Sequence, residues 1–339
     1  MLNKKDKLYS QTINSFIEAI KAGKDKEIAR AITLLENRDP LSREIMQKLY
    51  KKFSKPYIIG ITGPAGSGKS SMLNLMLKKW LKKYPENKIA VIAVDPSSQK
   101  SGGAFLGDRI RMKDLINDQR VFIRSMASRG STGGVNPAVY DTAVILAAAG
   151  YQKIIIETVG VGQNEIDIVS LSDTTLVVTV PDTGDEIQIF KSELMEVGDI
   201  FILNKSDLPQ ADRMEIIIKS LFSLKKGGDS NFEEDKQNVK SWKNVLIKTS
   251  ALYNKGISDL IIQVENHYTY LKENDLFVKK QESQLQEHLF NLLKSEITRK
   301  LLHDFSKNRQ LDEQIEEILS GKSSPYQLVE KFVDNNLKI

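Results

Sequence analysis

The spacing of hydrophobic positions changes twice along this 339-residue chain. Between residues 9 and 53 they recur at helical intervals: Phe16, Ile17 and Ile20, then Ile28, Ile32, Leu34 and Leu35, then Ile45 and Leu49. Gly23 and the Asp39-Pro40 pair punctuate the series, which predicts about three short helices. From Tyr57 onward, short β-branched runs take over: YIIGIT, KIAVIAV, RVFIRSM, KIIIET, TTLVVTV, DIFILN and NVLIKT. They alternate with helical stretches. This predicts an α/β fold with a mostly parallel central sheet covered by helices on both faces. The polar, glycine-containing segment 225–241 is predicted to be an exposed loop. Beyond about residue 270 the helical spacing returns, with Leu285, Leu289, Leu292, Leu293 and Ile297 in one stripe. No internal repeat interrupts this order. Three regions are expected: an N-terminal helical segment over 1–54, an α/β domain over 55–270 and a C-terminal helical arm over 271–339.

Charge and composition remove several function classes. The net charge is +5, from 49 basic and 44 acidic residues, too small and too scattered for a nucleic-acid binder. The densest basic stretch, KKWLKK at 78–83, reads as a solvated helix face whose Lys stems cover apolar surface. With no cysteine the chain can form neither a disulfide nor a thiolate metal site. Its three histidines, His267, His288 and His303, are expected to be incidental. No apolar run approaches a membrane span, and the N-terminal MLNKKDKLYSQ carries no apolar stretch after its charges. A cytoplasmic protein without membrane or nucleic-acid partners is expected.

The strongest chemical signal is Gly63-Pro-Ala65-Gly66-Ser67-Gly68-Lys69-Ser70, followed by Ser71. It satisfies G-x-x-x-x-G-K-[ST] between a predicted strand and a predicted helix, the context of a phosphate-binding loop. Glycines let the backbone curl so that successive N–H groups point at an anion, and the helix offers its positive end. Lys69 supplies a charge for the terminal phosphates and Ser70 a hydroxyl for magnesium.

At the end of DIFILN stands Asn204-Lys205-Ser206-Asp207, an N-K-x-D pattern. Guanine presents a ring N–H beside an amino group, and one carboxylate, that of Asp207, can accept from both. Adenine lacks this donor pair. Asn204 can bond the base and nearby loops, and the Lys205 stem can pack on the purine. Thr249-Ser250-Ala251 matches the other base-contacting loop of G proteins, which gives Ser250 and Ala251 that role. Carboxylates at strand ends add divalent-ion chemistry: Asp95 closes KIAVIAVD, and Glu157 stands where most G proteins place the aspartate of D-x-x-G. Either can hold magnesium directly or through water, and capping of the following segment is the ordinary alternative for Asp95.

The segments VDPSSQKSGGAFLGDRIRM, ETVGVGQNEID and PDTGDEIQIFK, together with the phosphate loop and NKSD, resemble the MeaB/ArgK family of P-loop GTPases. GKDKEIARAITLLENRDP and LSGKSSPYQLVEKFV extend the resemblance to both ends of the chain. It implies a homodimer held by the C-terminal arm, and magnesium coordination through Ser70, Asp95, Asp108 and Glu157. It implies a second switch from Glu157 to Gln163, and a further switch over 182–191 in which Asp185, Gln188 and Lys191 respond to nucleotide and partner. It also implies a partner: an adenosylcobalamin-dependent acyl-CoA mutase, methylmalonyl-CoA mutase or a relative, whose cofactor loading the GTPase assists and protects. Two departures matter. Lys191-Ser192-Glu193-Leu194 replaces the family's K-x-G-I-x-E, so a different mutase can be the partner. The chain lacks D-x-H-x-x-G, which assigns cobalamin to the partner.

The expected reaction is slow in-line attack of water on the γ-phosphate of GTP. By chain order Gln163 is the candidate for positioning water, with a structural role as the alternative. Arg109 and Arg111 either neutralise phosphate or pair with nearby acids. A metal-inserting GTPase would share much of this layout but normally carries Cys- or His-rich motifs. A kinase, which the ArgK name suggests, would pass phosphate to an acceptor, and a nucleotide-sensing scaffold would not turn over usefully.

Overall fold

The computed structural model describes residues 4–51, 55–95, 113–115, 117–127, 137–158, 170–181, 194–228, 242–306 and 311–336. The three N-terminal helices form as the periodicity predicts: α1 (Lys4–Lys21), α2 (Asp25–Glu36) and α3 (Pro40–Leu49). The Asp39-Pro40 pair starts α3. The Asp39 carboxylate accepts from the Leu41 amide at 2.9 Å, and Pro40 sits at the first helical position, where its missing N–H costs nothing.

All seven β-branched runs become strands: β1 (Tyr57–Thr62), β2 (Ile89–Asp95), β3 (Val121–Ala127), β4 (Lys153–Thr158), β5 (Thr174–Thr179), β6 (Ile200–Leu203) and β7 (Val245–Lys248). They form one sheet of order β3-β2-β4-β1-β5-β6-β7, with every described pairing parallel. The central strand β1 is buried at all six positions. Parallel strands need crossover helices, and these cover both faces.

Alternate residues divide the core. Ile58, Ala90, Ile92, Ile154 and Ile156 face the N-terminal helices and α5 (Pro137–Ala148). Ile59, Ile61, Val91 and Ile155 face α4 (Lys69–Lys83) and α7 (Ile257–Glu273). Val177, Phe201 and Leu203 pack with Met214 and Ile218 of α6 (Ala211–Gly228). The KKWLKK stretch lies on α4, where Trp80 and Leu81 are buried between the lysines.

One expectation is corrected. Residues 225–228, predicted as the start of a loop, continue α6. Lys225 and Lys226 are good helix formers, so the helix begun at Ala211 propagates as far as the glycine pair. Residues 229–241 lie outside the described set. His267 and His288 are both buried.

Met1–Gln284 and Leu285–Ile339 form two compact units, and α8 (Leu276–Ser306) runs through their boundary. The second unit continues with α9 (Leu311–Leu319) and α10 (Pro325–Asn336), and Phe305 meets Phe332 edge to face at 4.9 Å. On its part of α8, Leu289, Phe290, Leu293 and Leu302 each expose more than half of their surface. Among the described residues no helix is long and apolar enough to cross a membrane.

Candidate nucleotide site

Because the strands are parallel, their carboxyl ends share one edge. The chain leaves β1 toward β2 on one side and later builds β5, β6 and β7 on the other, which opens a crevice beside β1. The glycine-rich loop occupies that place, between Thr62 and Lys69. Gly63 has φ 136°, and a Cβ there would overlap the Val178 carbonyl of β5. Gly68 has φ 88°, and a Cβ there would overlap the Asn204 side chain. Both positions therefore require glycine for backbone angle and for space. Gly63→Ala is expected to cost more than about 2 kcal/mol of stability in chemical denaturation. An unchanged midpoint would show that β5 yields where we expect it to resist.

At the start of α4, Lys69 and Ser70 are both buried. The Lys69 ammonium donates to the carbonyls of Gly63 at 2.5 Å and Pro64 at 2.9 Å, so it lies across its own loop. The Ser70 hydroxyl donates to Glu157 Oε1 at 2.7 Å, joining α4 to the neighbouring strand β4. Ala65, Gly66 and Ser71 are exposed around this centre. A buried hydroxyl beside a buried carboxylate offers the all-oxygen donors that magnesium prefers, and so fits that ion. No group of three or more His, Asp or Glu suited to a metal occurs among the described residues. Asp95 ends β2 opposite Ala127. Asp108, Gln163, Asp185, Gln188 and Lys191 lie outside the described residues, as do Arg109 and Arg111.

The base-reading residues converge through Asn204. Its amide nitrogen donates to the Ser67 carbonyl of the phosphate loop at 2.7 Å. Its Oδ1 accepts from Thr249 Oγ1 at 3.1 Å and from the Ala251 amide at 3.2 Å. One buried carboxamide thus ties three loops together. Lys205, with φ 55°, and Asp207 are exposed, and Asp207 accepts a short hydrogen bond from the Ser250 hydroxyl. The turn after Ala251 is closed by Ser250 and Lys255, which exchange two backbone hydrogen bonds of 3.1 Å. Residue-type reasoning did not single out Thr249 as a bonding partner of Asn204. Its position at the end of a strand run, directly before Ser250, was the available signal.

A seven-stranded parallel sheet with a glycine-rich loop leading into a buried Lys-Ser pair, and N-K-x-D two strands away, defines a P-loop GTPase. The family model described as methylmalonyl Co-A mutase-associated GTPase MeaB matches residues 28–306, and the chain belongs to that family. A protein of Pyrococcus abyssi named as a GTPase is 39% identical over 314 residues, covering 93% of this chain and 94% of its own. GTPase ArgK of Escherichia coli is 32% identical over 257 residues, 74% of each chain. The mitochondrial methylmalonic aciduria type A homolog of Caenorhabditis elegans is 28% identical over 328 residues, 92% of this chain and 80% of that one. A crystal structure described as LAO/AO transport system kinase superposes with TM-score 0.65 at 23% identity over 98% of both chains, a likeness of fold. The chain thus binds guanine nucleotide and is a GTPase, hydrolysing GTP to GDP and phosphate.

Proposed function

We propose that this GTPase assembles and protects an adenosylcobalamin-dependent acyl-CoA mutase, methylmalonyl-CoA mutase or a close relative, in the cytoplasm. The observation that carries the reading is the family match over residues 28–306, which includes the whole sheet and both nucleotide-reading loops. Lys69 exchanges its own loop carbonyls for the terminal phosphates of GTP, and the loop amides hold the phosphate oxygens. Asp207, oriented by Ser250, reads the guanine edge, while Asn204 and Ala251 keep the base loop in register with Ser67. Ser70 and Glu157, with Asp95 and Asp108, would hold Mg²⁺, which when bound neutralises charge on the phosphates. Gln163 positions the attacking water. The 182–191 segment, through Asp185, Gln188 and Lys191, passes the nucleotide state to the mutase. The exposed apolar residues of α8 support a homodimer built on the C-terminal arm, since a long unpartnered apolar face is costly in water. Cobalamin itself stays with the mutase.

The test is GTP hydrolysis by the purified protein, alone and with each adenosylcobalamin-dependent mutase of the same organism. One mutase is expected to raise the rate at least about tenfold, by completing a catalytic set that is slow alone. Hydrolysis that no such mutase changes would remove the chaperone reading and leave the GTPase.

A further inference from the structure

The amino edge of the sheet, opposite the nucleotide crevice, holds a second buried polar cluster. It gathers the first residues of β1 and β5, the residue before β6, and side chains of α7 and α8. Asp173 lies at its centre, with none of its surface exposed. Its Oδ2 accepts from the Ile58 amide at 2.7 Å and its Oδ1 from Gln284 Nε2 at 3.3 Å. Its backbone carbonyl accepts from Lys280 Nζ at 2.8 Å, and Gln281 Nε2 reaches the Pro56 carbonyl at 3.4 Å. Three residues of α8 therefore bond the start of β1 and β5. The last of them, Gln284, is also the last residue of the first compact unit.

Around this carboxyl the other titratable groups are Tyr57 on β1, Tyr140 on α5, Lys280 on α8 and Asp199 before β6, with His267 on α7 beyond Asp199. Burial holds both tyrosine hydroxyls above their ordinary range, so they stay neutral. Burial also pushes His267 down to about 4. Its proton belongs on Nε2, which faces Asp199 Oδ1 at 3.4 Å, leaving Nδ1 to accept from the Thr174 hydroxyl at 2.7 Å. Burial lifts Asp173 to about 7, against the opposing pull of the Ile58 amide, Gln284 and Lys280. Burial thus moves the charge change of Asp173 toward neutrality, and those of the two tyrosines and His267 away from it.

A buried carboxylate needs donors, whereas a buried carboxylic acid needs an acceptor for its O–H. A carboxamide carries one of each on a single rotatable end. We propose that Asp173 and Gln284 form a proton-tolerant joint, in which the Gln284 carboxamide turns over as the carboxyl gains or loses its proton and so keeps the root of α8 seated on the sheet. With the carboxylate, Gln284 Nε2 donates; with the acid, Gln284 Oε1 accepts, and Ile58 continues to donate to the other oxygen.

The linkage has a definite sign. The folded-state pKa of Asp173 is raised, so its contribution to stability is complete below the unfolded value of 3.8 and is lost as pH rises through about 7. His267 is depressed, so its contribution is present above 6.5 and lost as pH falls toward 4. The two oppose each other between about 4 and 6.5, and near 7 Asp173 outweighs His267.

The joint is tested on the full-length protein by hydrogen exchange of residues 276–284 from pH 6 to 9, corrected for intrinsic exchange. In the unaltered chain this segment should open only with global unfolding at both ends of that range, with protection levelling off just above pH 7. Gln284→Met removes the donor to the carboxylate and the acceptor for the acid together; the charge-assisted bond is the larger loss, so levelling should move up by roughly half a pH unit. Asp173→Asn, which still pairs with a turned Gln284, should abolish the fall near 7. The infrared difference between the unaltered protein and Asp173→Asn supplies a readout independent of the methionine variant. A carboxylic-acid carbonyl band should be present at pH 6 and absent at pH 9. The joint is overturned by local opening of 276–284 in the unaltered chain at pH 9, by an unshifted profile in Gln284→Met, or by no acid band at pH 6.

Discussion

Lys69→Ala is expected to weaken GTP binding by at least two orders of magnitude, roughly the loss of two charge-assisted hydrogen bonds to phosphate. Alanine is the best helix former, so α4 itself should survive the change. The lost ammonium has no substitute among the described residues of the loop, where Ala65 and Gly66 offer only backbone. The same ammonium crosses to the Gly63 and Pro64 carbonyls, so its removal also frees the loop to adopt other shapes. Titration calorimetry at low micromolar protein decides the matter. Micromolar affinity in the variant would mean that the phosphates are held elsewhere.

Asp207→Asn should alter which base is accepted rather than whether the protein folds. Asp207 is exposed, and its Ser250 hydroxyl partner can donate to an amide oxygen as it does to a carboxylate. The carboxylate can accept from both guanine donors. Asparagine can accept from one and turns an N–H₂ toward the other, setting donor against donor. A loss of about 100-fold or more in GTP affinity is expected, because a site built for a hydrogen bond rejects a mismatched partner strongly. Xanthine carries a carbonyl where guanine carries the amino group, so the variant should gain affinity for xanthosine triphosphate. Competition between the two nucleotides measures the exchange directly, and an unaltered preference for GTP would place base reading on other residues.

The central strands were legible because burial on both faces writes them as nearly continuous apolar runs, and Ile58 to Ile61 and Ile154 to Ile156 carry that signature whatever packs on them. The phosphate loop was legible for a different reason. Gly63 and Gly68 are forced by backbone angle and by near contact with Val178 and Asn204, so their spacing is fixed by chemistry. The role of Asn204 as a tie among three loops was only half visible, because its partners Ser67 and Thr249 stand 137 residues before it and 45 after. The cluster at the amino edge was not visible at all. Its carboxylates, histidine and lysine carry no motif, and Lys280 meets Asp173 across 107 residues. His267, which looked incidental by composition, is buried there because folding brings Thr174 and Asp199 to its two nitrogens. The end of α6 was misplaced because lysines read as loop by polarity and as helix by propensity, and the helix prevailed to Gly228.

The carboxamide of Asn204 gives the nucleotide crevice the mechanics of a single lever. The carbonyl it grips on Ser67 belongs to the phosphate cradle, and the amide it accepts from on Ala251 belongs to the turn that frames the purine. A force that pries the 250–255 turn away from the sheet must break one grip or drag the other. Loosening of the cradle can therefore begin from the base side, far from the γ-phosphate, and a protein that grasps that turn would hold a handle on nucleotide release.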